Sequence, residues 1–241
     1  MLGQIIEKLA SPWVEYNQRQ LINDAFRNAP PIQRAVDVGC GEGSYSFLLL
    51  ERFPNCHLLV EVDVNRKRIT VAKQRRIDSR LSYVIANTYA LPFRTSAFEL
   101  AFSKDLLHHI QKPAEGLKEM NRVSIGEVVL VEANRPNQLM LLWTKYFNHQ
   151  HLTWSQLTKI ISRASLKLKS SKQIQAYPLD LLLLPIKNPM MLVWNLFALI
   201  VLVSCNLPRL SKIFLDILSF ASEPAFNVAN VVRLKRINQS K

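Results

Sequence analysis

The chain has 241 residues, enough for one domain with an elaboration and for a full apolar core. Hydrophobic residues make up 49%, which excludes disorder as the default, and 31 Lys plus Arg against 18 Asp plus Glu give a formal net charge of +13. Such a surplus favours anionic partners, meaning nucleic acid, anionic lipid or an acidic substrate, and says nothing about the fold.

Residues 1–30 read as helical, with Trp13, Tyr16, Leu21, Ile22 and Phe26 as apolar points, and Ala29-Pro30-Pro31 stops the helix. Arg34 to Val38 reads as a buried strand and Ser44 to Arg52 as the start of a helix. Gly39, Gly41 and Gly43 join the two at alternate positions. Glycine carries no Cβ and tolerates positive φ, so a ligand can lie against such a turn. A glycine turn running into a helix is where doubly wound α/β proteins bind nucleotides. The spacing here is G-x-G-x-G with Asp37 two residues ahead, not the G-x-G-x-x-G of dinucleotide enzymes.

Cys56 to Asp63 reads as a second strand, ending on an acid 20 residues beyond Gly43. A carboxylate there can accept both hydroxyls of a ribose. Glu61 projects on the same face as Asp63 by strand alternation. The helix Asn65 to Arg76 carries six basic residues, either a solvated outer face or a patch for phosphates and lipid head groups. Leu81 to Ala86 alternates into a third strand before Asn87-Thr88-Tyr89-Ala90-Leu91-Pro92-Phe93. Ala97 to Ser103 is a fourth strand leading into Lys104-Asp105-Leu106-Leu107-His108-His109-Ile110. A helix over Glu115 to Arg122 and a fifth strand over Gly126 to Glu132 follow, and that strand closes on Ala133-Asn134-Arg135-Pro136-Asn137.

Across residues 34–135 these segments resemble the class I S-adenosylmethionine-dependent methyltransferases, in the branch acting on small molecules and lipids. The glycine turn resembles motif I, the Asn87 to Phe93 stretch resembles the turn that leads to Leu-Pro-Phe, and the strand-five end resembles Glu-Pro-Asn-Arg with Ala133 replacing proline. The resemblance implies a doubly wound, Rossmann-like seven-stranded α/β sheet with the last strand antiparallel. It implies S-adenosyl-L-methionine as cofactor and S-adenosyl-L-homocysteine as product. Asp37, Gly39, Cys40, Gly41 and Gly43 would cradle the cofactor, with Asp63 and Val64 beside the ribose. Asn87 stands where the family has an acid that meets the adenine amino group; its carbonyl still accepts, without the charge. Thr88 accompanies it, and Ser103 to His109 would face the transferred methyl. Glu61 stands where the family usually has glycine. The reaction so implied is an SN2 transfer in which attacker, methyl carbon and sulfur are collinear, so positioning is the protein's main task. For a hydroxyl acceptor, His109 and then His108 are the candidate bases, the alternative being packing. The helix over residues 1–30 would lid the cofactor, with Tyr16 either closing over it or packing.

Beyond residue 136 a helix is expected over Ser155 to Ala164 with a serine cap, then a Leu166 to Lys169 alternation, and Phe226 to Leu234 as the last strand. The expected organisation is a lid over 1–30, a core over 31–177, a hydrophobic helical insertion over 178–222, and a final strand with a basic tail over 223–241. Within the insertion Met190 to Val203 is apolar but for Asn195, shorter than the roughly 20 residues of a bilayer span. Three readings stay open: a lid packed on its own domain or on a homodimer partner, a helix pair in an anionic membrane interface, and a true span. Cys40, Cys56 and Cys205 have neither a disulfide-framework nor a metal-ligand pattern, so no metal is expected. No secretory signal is read in Met1 to Ala10, so the protein is expected in the cytoplasm, free or peripheral on the cytoplasmic face of a membrane. The function expected is methylation of a hydroxyl on a hydrophobic or lipid-like small molecule. An RNA methyltransferase is the rival that the charge suggests, although strand four lacks the Asn/Asp-Pro-Pro-Tyr/Phe segment of the amino-group enzymes. A non-catalytic cofactor-binding subunit of a membrane complex is the third reading.

Overall fold

The computed structural model describes residues 15, 18–75, 77–133, 152–175 and 227–236. Tyr16, most of residues 1–30 expected as a lid, Asn134 to Asn137 and residues 178–222 expected as a hydrophobic insertion lie outside the described residues.

In chain order the elements are a helix over residues 18–25 (α1), β1 (Arg34–Val38), α2 (Ser46–Arg52), β2 (Leu58–Asp63), α3 (Arg66–Arg75), β3 (Leu81–Ile85) and β4 (Phe98–Lys104). A 3-10 turn (Leu107–His109), α4 (Pro113–Val123), β5 (Ser124–Ala133), α5 (Trp154–Arg163), β6 (Leu166–Gln175) and β7 (Asn227–Arg236) complete it. The seven strands form one sheet in the order β3-β2-β1-β4-β5-β7-β6. Neighbours among β1 to β5 are parallel, whereas β7 runs antiparallel to both β5 and β6. This is the doubly wound sheet with a reversed last strand that the sequence leads one to expect.

Strand alternation divides the core. Val36, Val38, Ala101, Val128, Leu130, Val232 and Leu234 face α4 and α5, which contribute Leu117, Met120, Leu157 and Ile161. Ala35, Leu59, Leu100, Phe102, Val129 and Val131 face the other way, onto Leu21, Ile22, Phe26, Leu48 and Leu49 of the α1 and α2 layer. Phe26 anchors that second layer, edge-on to Phe53 at 5.0 Å and tilted to Phe102 at 5.9 Å. Toward the carboxyl ends of the strands the same face changes character. Ala35 is followed by Asp37, Leu59 by Glu61 and Asp63, and Phe102 by Lys104.

Several boundaries differ from expectation. The helix after the glycine turn starts at Ser46, not Ser44, because Gly39, Gly41 and Gly43 hold φ of 77°, 59° and 71° and keep the chain turning until Tyr45. The second strand begins at Leu58 rather than Cys56, after the Cys56 amide has closed a turn on the Phe53 carbonyl. The helix expected from Ser155 is capped instead by Thr153, whose hydroxyl accepts from the Gln156 amide while the Gln156 side chain accepts from the Thr153 amide. The sixth strand extends to Gln175, because β7 gives it a partner along its length.

Candidate active site

The site grows from the carboxyl ends of β1, β2 and β4. After Val38 the chain must turn sharply, and the Gly39 and Cys40 amides both donate to the Val62 carbonyl, at 2.7 and 3.0 Å. The Gly41 amide donates to Asp63 Oδ2 at 3.0 Å, while Asp63 Oδ1 accepts the Asn65 amide at 2.8 Å. One carboxylate thus fixes the glycine turn and the start of α3 together. A Cβ on Gly39 would fall 2.7 Å from Leu106 Cδ1, whereas one on Gly41 would meet nothing closer than Arg68 Nη1 at 3.9 Å. The backbone at Gly41 therefore borders open space.

That space is a cavity of about 280 Å³ lined by Asp37, Gly39, Cys40, Gly41, Tyr45, Arg68 and Lys104, among others. Of the residues expected to bind cofactor, it gathers Asp37 and the first half of the turn. Gly43 lies behind, against Glu61. Asp63 is buried at the turn, and Val64 beside it is 71% exposed, an apolar side chain open to a flat ligand. Asn87 is exposed, with its Oδ1 accepting the Tyr89 amide at 3.0 Å, which leaves its second lone pair. Thr88 turns inward, its methyl 2.6 Å from where a Cβ on Gly116 of α4 would sit, so it packs. Ser103 is fully buried and its Oγ has no hydrogen-bond partner. The Leu91 to Phe93 stretch is pinned to α4: Glu119 accepts the Leu91 amide, and Arg122 donates to the carbonyls of Leu91 and Phe93.

Burial dominates the electrostatics. It pushes Asp37 well above the usual carboxylate range, with the charges of Glu61 and Asp63 adding to the effect. It raises Glu61 to about 7, a hydrogen bond from Cys40 opposing it. The Cys40 thiol is pushed up by burial and by these same three acids, which keeps it unionised.

The two histidines separate. Both lie in the 3-10 turn, not on a longer helix. The His108 side chain is 2% exposed, and its Nδ1 shares a 2.8 Å hydrogen bond with Glu132 Oε2 from the end of β5. Glu132 Oε1 accepts the amides of Leu106 and Leu107, at 3.1 and 2.8 Å. Burial raises the Glu132 carboxyl, and the hydrogen bond from His108 opposes the rise. His109 is exposed, its ring 4.2 Å from that of His108. Asp105 holds φ at 51°, donates its amide to the Val131 carbonyl, and accepts the Ala133 amide and Lys104 Nζ. Ligand atoms of Asp105, His108 and Glu132 come within 4.8 Å of one another, and each of the three side chains is hydrogen-bonded within the turn. Lys104 falls within the Ser103 to His109 stretch expected at the site, whereas Glu132, Tyr45 and Arg68 escaped the sequence reading as site residues, since each reaches the site from a separate element.

An open sheet in this order, with a G-x-G-x-G turn after β1 and an acid closing β2, defines a class I methyltransferase fold. Residues 36–131 match the family described as the methyltransferase domain, which together with the fold supports a class I S-adenosylmethionine-dependent methyltransferase. Among curated relatives, the chain is 31% identical over 121 residues to a demethylmenaquinone methyltransferase of Renibacterium salmoninarum, covering 49% of this chain and 48% of that protein. It is 30% identical over 104 residues to the chloroplastic tocopherol O-methyltransferase of Arabidopsis thaliana, covering 42% of this chain and 30% of that one. The alignments span about half the length of the demethylmenaquinone methyltransferases matched. Geranyl diphosphate C-methyltransferase from Streptomyces coelicolor, solved with Mg2+, geranyl diphosphate and S-adenosyl-L-homocysteine, superposes with a TM-score of 0.61. It covers 92% of this chain and 79% of its own at 15% identity, a likeness of fold. No helix among the described residues is long and apolar enough to cross a membrane.

Proposed function

We propose that the protein transfers a methyl group from S-adenosyl-L-methionine to a hydroxyl of a hydrophobic or lipid-like small molecule. When bound, the cofactor supplies an electrophilic methyl on a sulfonium. The observation that carries the reading is the cradle at Gly41, open on one side and tied on the other to Asp63. Gly39 and Gly41 let a ligand lie against the backbone. Asp63 keeps lone pairs for ribose hydroxyls beyond its two backbone bonds, Val64 offers an apolar edge, and Asn87 retains an acceptor for the adenine amine. Asp37 lines the same cavity as Gly39 and Gly41.

For the acceptor, His109 is the exposed histidine and is assigned the base, while His108 and Glu132 hold the turn that carries it. An imidazole suits a hydroxyl acceptor because it titrates near neutral pH. The names of the quinone and tocopherol relatives support a hydrophobic acceptor. The basic surplus and the apolar 178–222 stretch suit docking on an anionic membrane surface, with lid or homodimer packing as the other uses of that stretch. A carbon acceptor is a second reading, favoured by the relative named as a ubiquinone/menaquinone biosynthesis C-methyltransferase.

The test is to incubate the protein with methyl-labelled S-adenosyl-L-methionine and separate lipid, small-molecule and RNA extracts of its source cell. Label in the organic phase, released by ether cleavage, supports the hydroxyl reading; label resistant to cleavage supports carbon. Label in RNA would replace both, and cofactor binding with no transfer would favour a non-catalytic subunit.

A further inference from the structure

Glu61 has no task in the reaction as described, yet it is the most unusual carboxylate in the site. It is 1% exposed, and its Oε2 finds no hydrogen-bond partner. A Cβ on Gly43 would fall 2.8 Å from Oε2 and 3.2 Å from Oε1, so the carboxylate lies against the backbone of the third glycine. The sheet register sets Glu61 between Asp37 of β1 and Tyr83 of β3, with Asp63 two residues further along its own strand. Cys40 lies on the turn above it, and its thiol moderates the rise that burial imposes on the Glu61 carboxyl. From α3, Ala72 packs on Gly43, Lys73 sits over the Tyr83 ring at 5.7 Å, and Arg68 reaches toward Gly41. Lys104 lines the cavity but is paired with Asp105, and Arg75 is paired with Glu42. No cation pairs with Asp37, Glu61 or Asp63 among the described residues.

Asp37 and Glu61, buried side by side with no cation between them, do not both stay ionised: burial raises both carboxyls, and the charges of Glu61 and Asp63 add to the rise at Asp37. We propose that Glu61 is a specificity residue for cofactor charge: the buried, register-paired Asp37 and Glu61 hold a proton in the free protein and release it to solvent when the sulfonium cofactor binds. S-adenosyl-L-methionine carries one more positive charge than S-adenosyl-L-homocysteine, whose sulfur is neutral. The ionised pair attracts that extra charge through a buried, weakly screened environment, and it gains nothing comparable from the product. By linkage, a ligand that favours the ionised form must expel the proton, and its affinity must rise as rising pH removes that proton beforehand. The site thereby prefers substrate cofactor over spent cofactor, and the preference widens with pH. This inference rests on the methyl-transfer reading above.

Isothermal titration tests it, with S-adenosyl-L-methionine and S-adenosyl-L-homocysteine each titrated at pH 6, 7 and 8. Two buffers of different ionisation enthalpy count the protons released. The natural chain is expected to gain roughly tenfold in S-adenosyl-L-methionine affinity from pH 6 to 8, with net proton release. For S-adenosyl-L-homocysteine both effects should be several-fold smaller. Glu61→Gln, which keeps the shape and removes the charge, should flatten the pH dependence and lower the preference for S-adenosyl-L-methionine by about three- to tenfold. A Glu61→Gln protein with unchanged proton release and unchanged preference overturns the inference. If the natural chain binds neither compound, the methyl-transfer reading falls, and this inference falls with it.

Discussion

The same substitution tests the burial of Glu61 without any ligand. In the unfolded chain this carboxyl ionises near 4.5, whereas in the fold burial moves it to about 7. The native state therefore holds a proton that the unfolded state has already lost, so stability falls as pH rises between those two values and levels off above the higher one. A tenfold change in acid strength is about 1.4 kcal/mol. The interval from 4.5 to about 7 thus costs the natural protein roughly 3 kcal/mol by pH 8 and little at pH 4. The amide introduced by Glu61→Gln would carry no such cost, and it keeps a hydrogen-bonding group near Cys40. Urea unfolding of both proteins between pH 5 and pH 8 should show Glu61→Gln gaining about 2–3 kcal/mol on the natural chain across that range. In thermal scans at pH 8 that gain is worth several degrees, at roughly 2–4 °C per kcal/mol for a chain of this size. A stability difference that stays constant with pH would show that Glu61 is solvated in solution, and the reasoning from the buried pair would fail.

Asp63→Ala should weaken S-adenosyl-L-methionine binding by more than about 1 kcal/mol, and it should also lower stability because the Gly41 and Asn65 amides lose their acceptor. Calorimetry and urea unfolding check the two parts, and unchanged affinity would remove Asp63 as the ribose ligand. His109→Ala should reduce turnover by about 10²-fold or more with cofactor affinity unaltered; normal turnover in the labelled-methyl assay would show that it is not the base. Gly126→Ala sets a methyl 2.2 Å from the Glu99 carbonyl oxygen, across the irregular start of the β4–β5 pairing. It should cost about 1–3 kcal/mol through forced separation of those strands, and an unfolding midpoint equal to that of the natural chain would refute the tight approach.

What the sequence made legible followed from short-range rules. Arg34 to Val38 is a short β-favouring stretch between a proline stop and a glycine turn, and it is strand from end to end. The three glycines had to be glycine, and each holds positive φ. Thr153 with Gln156 three residues on was also readable as a capping box, but Ser155 drew the assignment two residues too far into the helix. The site was less legible because its contacts join distant positions. Glu132 lies 24 residues from His108 and on another strand, so only the β4–β5 pairing brings the carboxylate under the turn. Alternation placed Glu61 and Asp63 on one face, but it does not say that Gly43 packs onto the first and Gly41 bonds to the second. Tyr45, Arg68 and Lys104 meet at one cavity from the start of α2, from α3 and from β4, and no local spacing encodes that meeting.

The position of β7 bears on how the chain is made. Its residues, 227–236, are synthesised after the other six strands of the described sheet, yet they belong between β5 and β6. A nascent chain that has reached β6 can complete the parallel half of the sheet but must leave the Val129–Val131 edge of β5 open and β6 without a strand beside it. Such an edge invites pairing with other chains. Any stop upstream of Asn227 would trap the protein in that state. Ribosome stalling and premature termination would therefore yield aggregation-prone or chaperone-bound fragments in place of a smaller working domain.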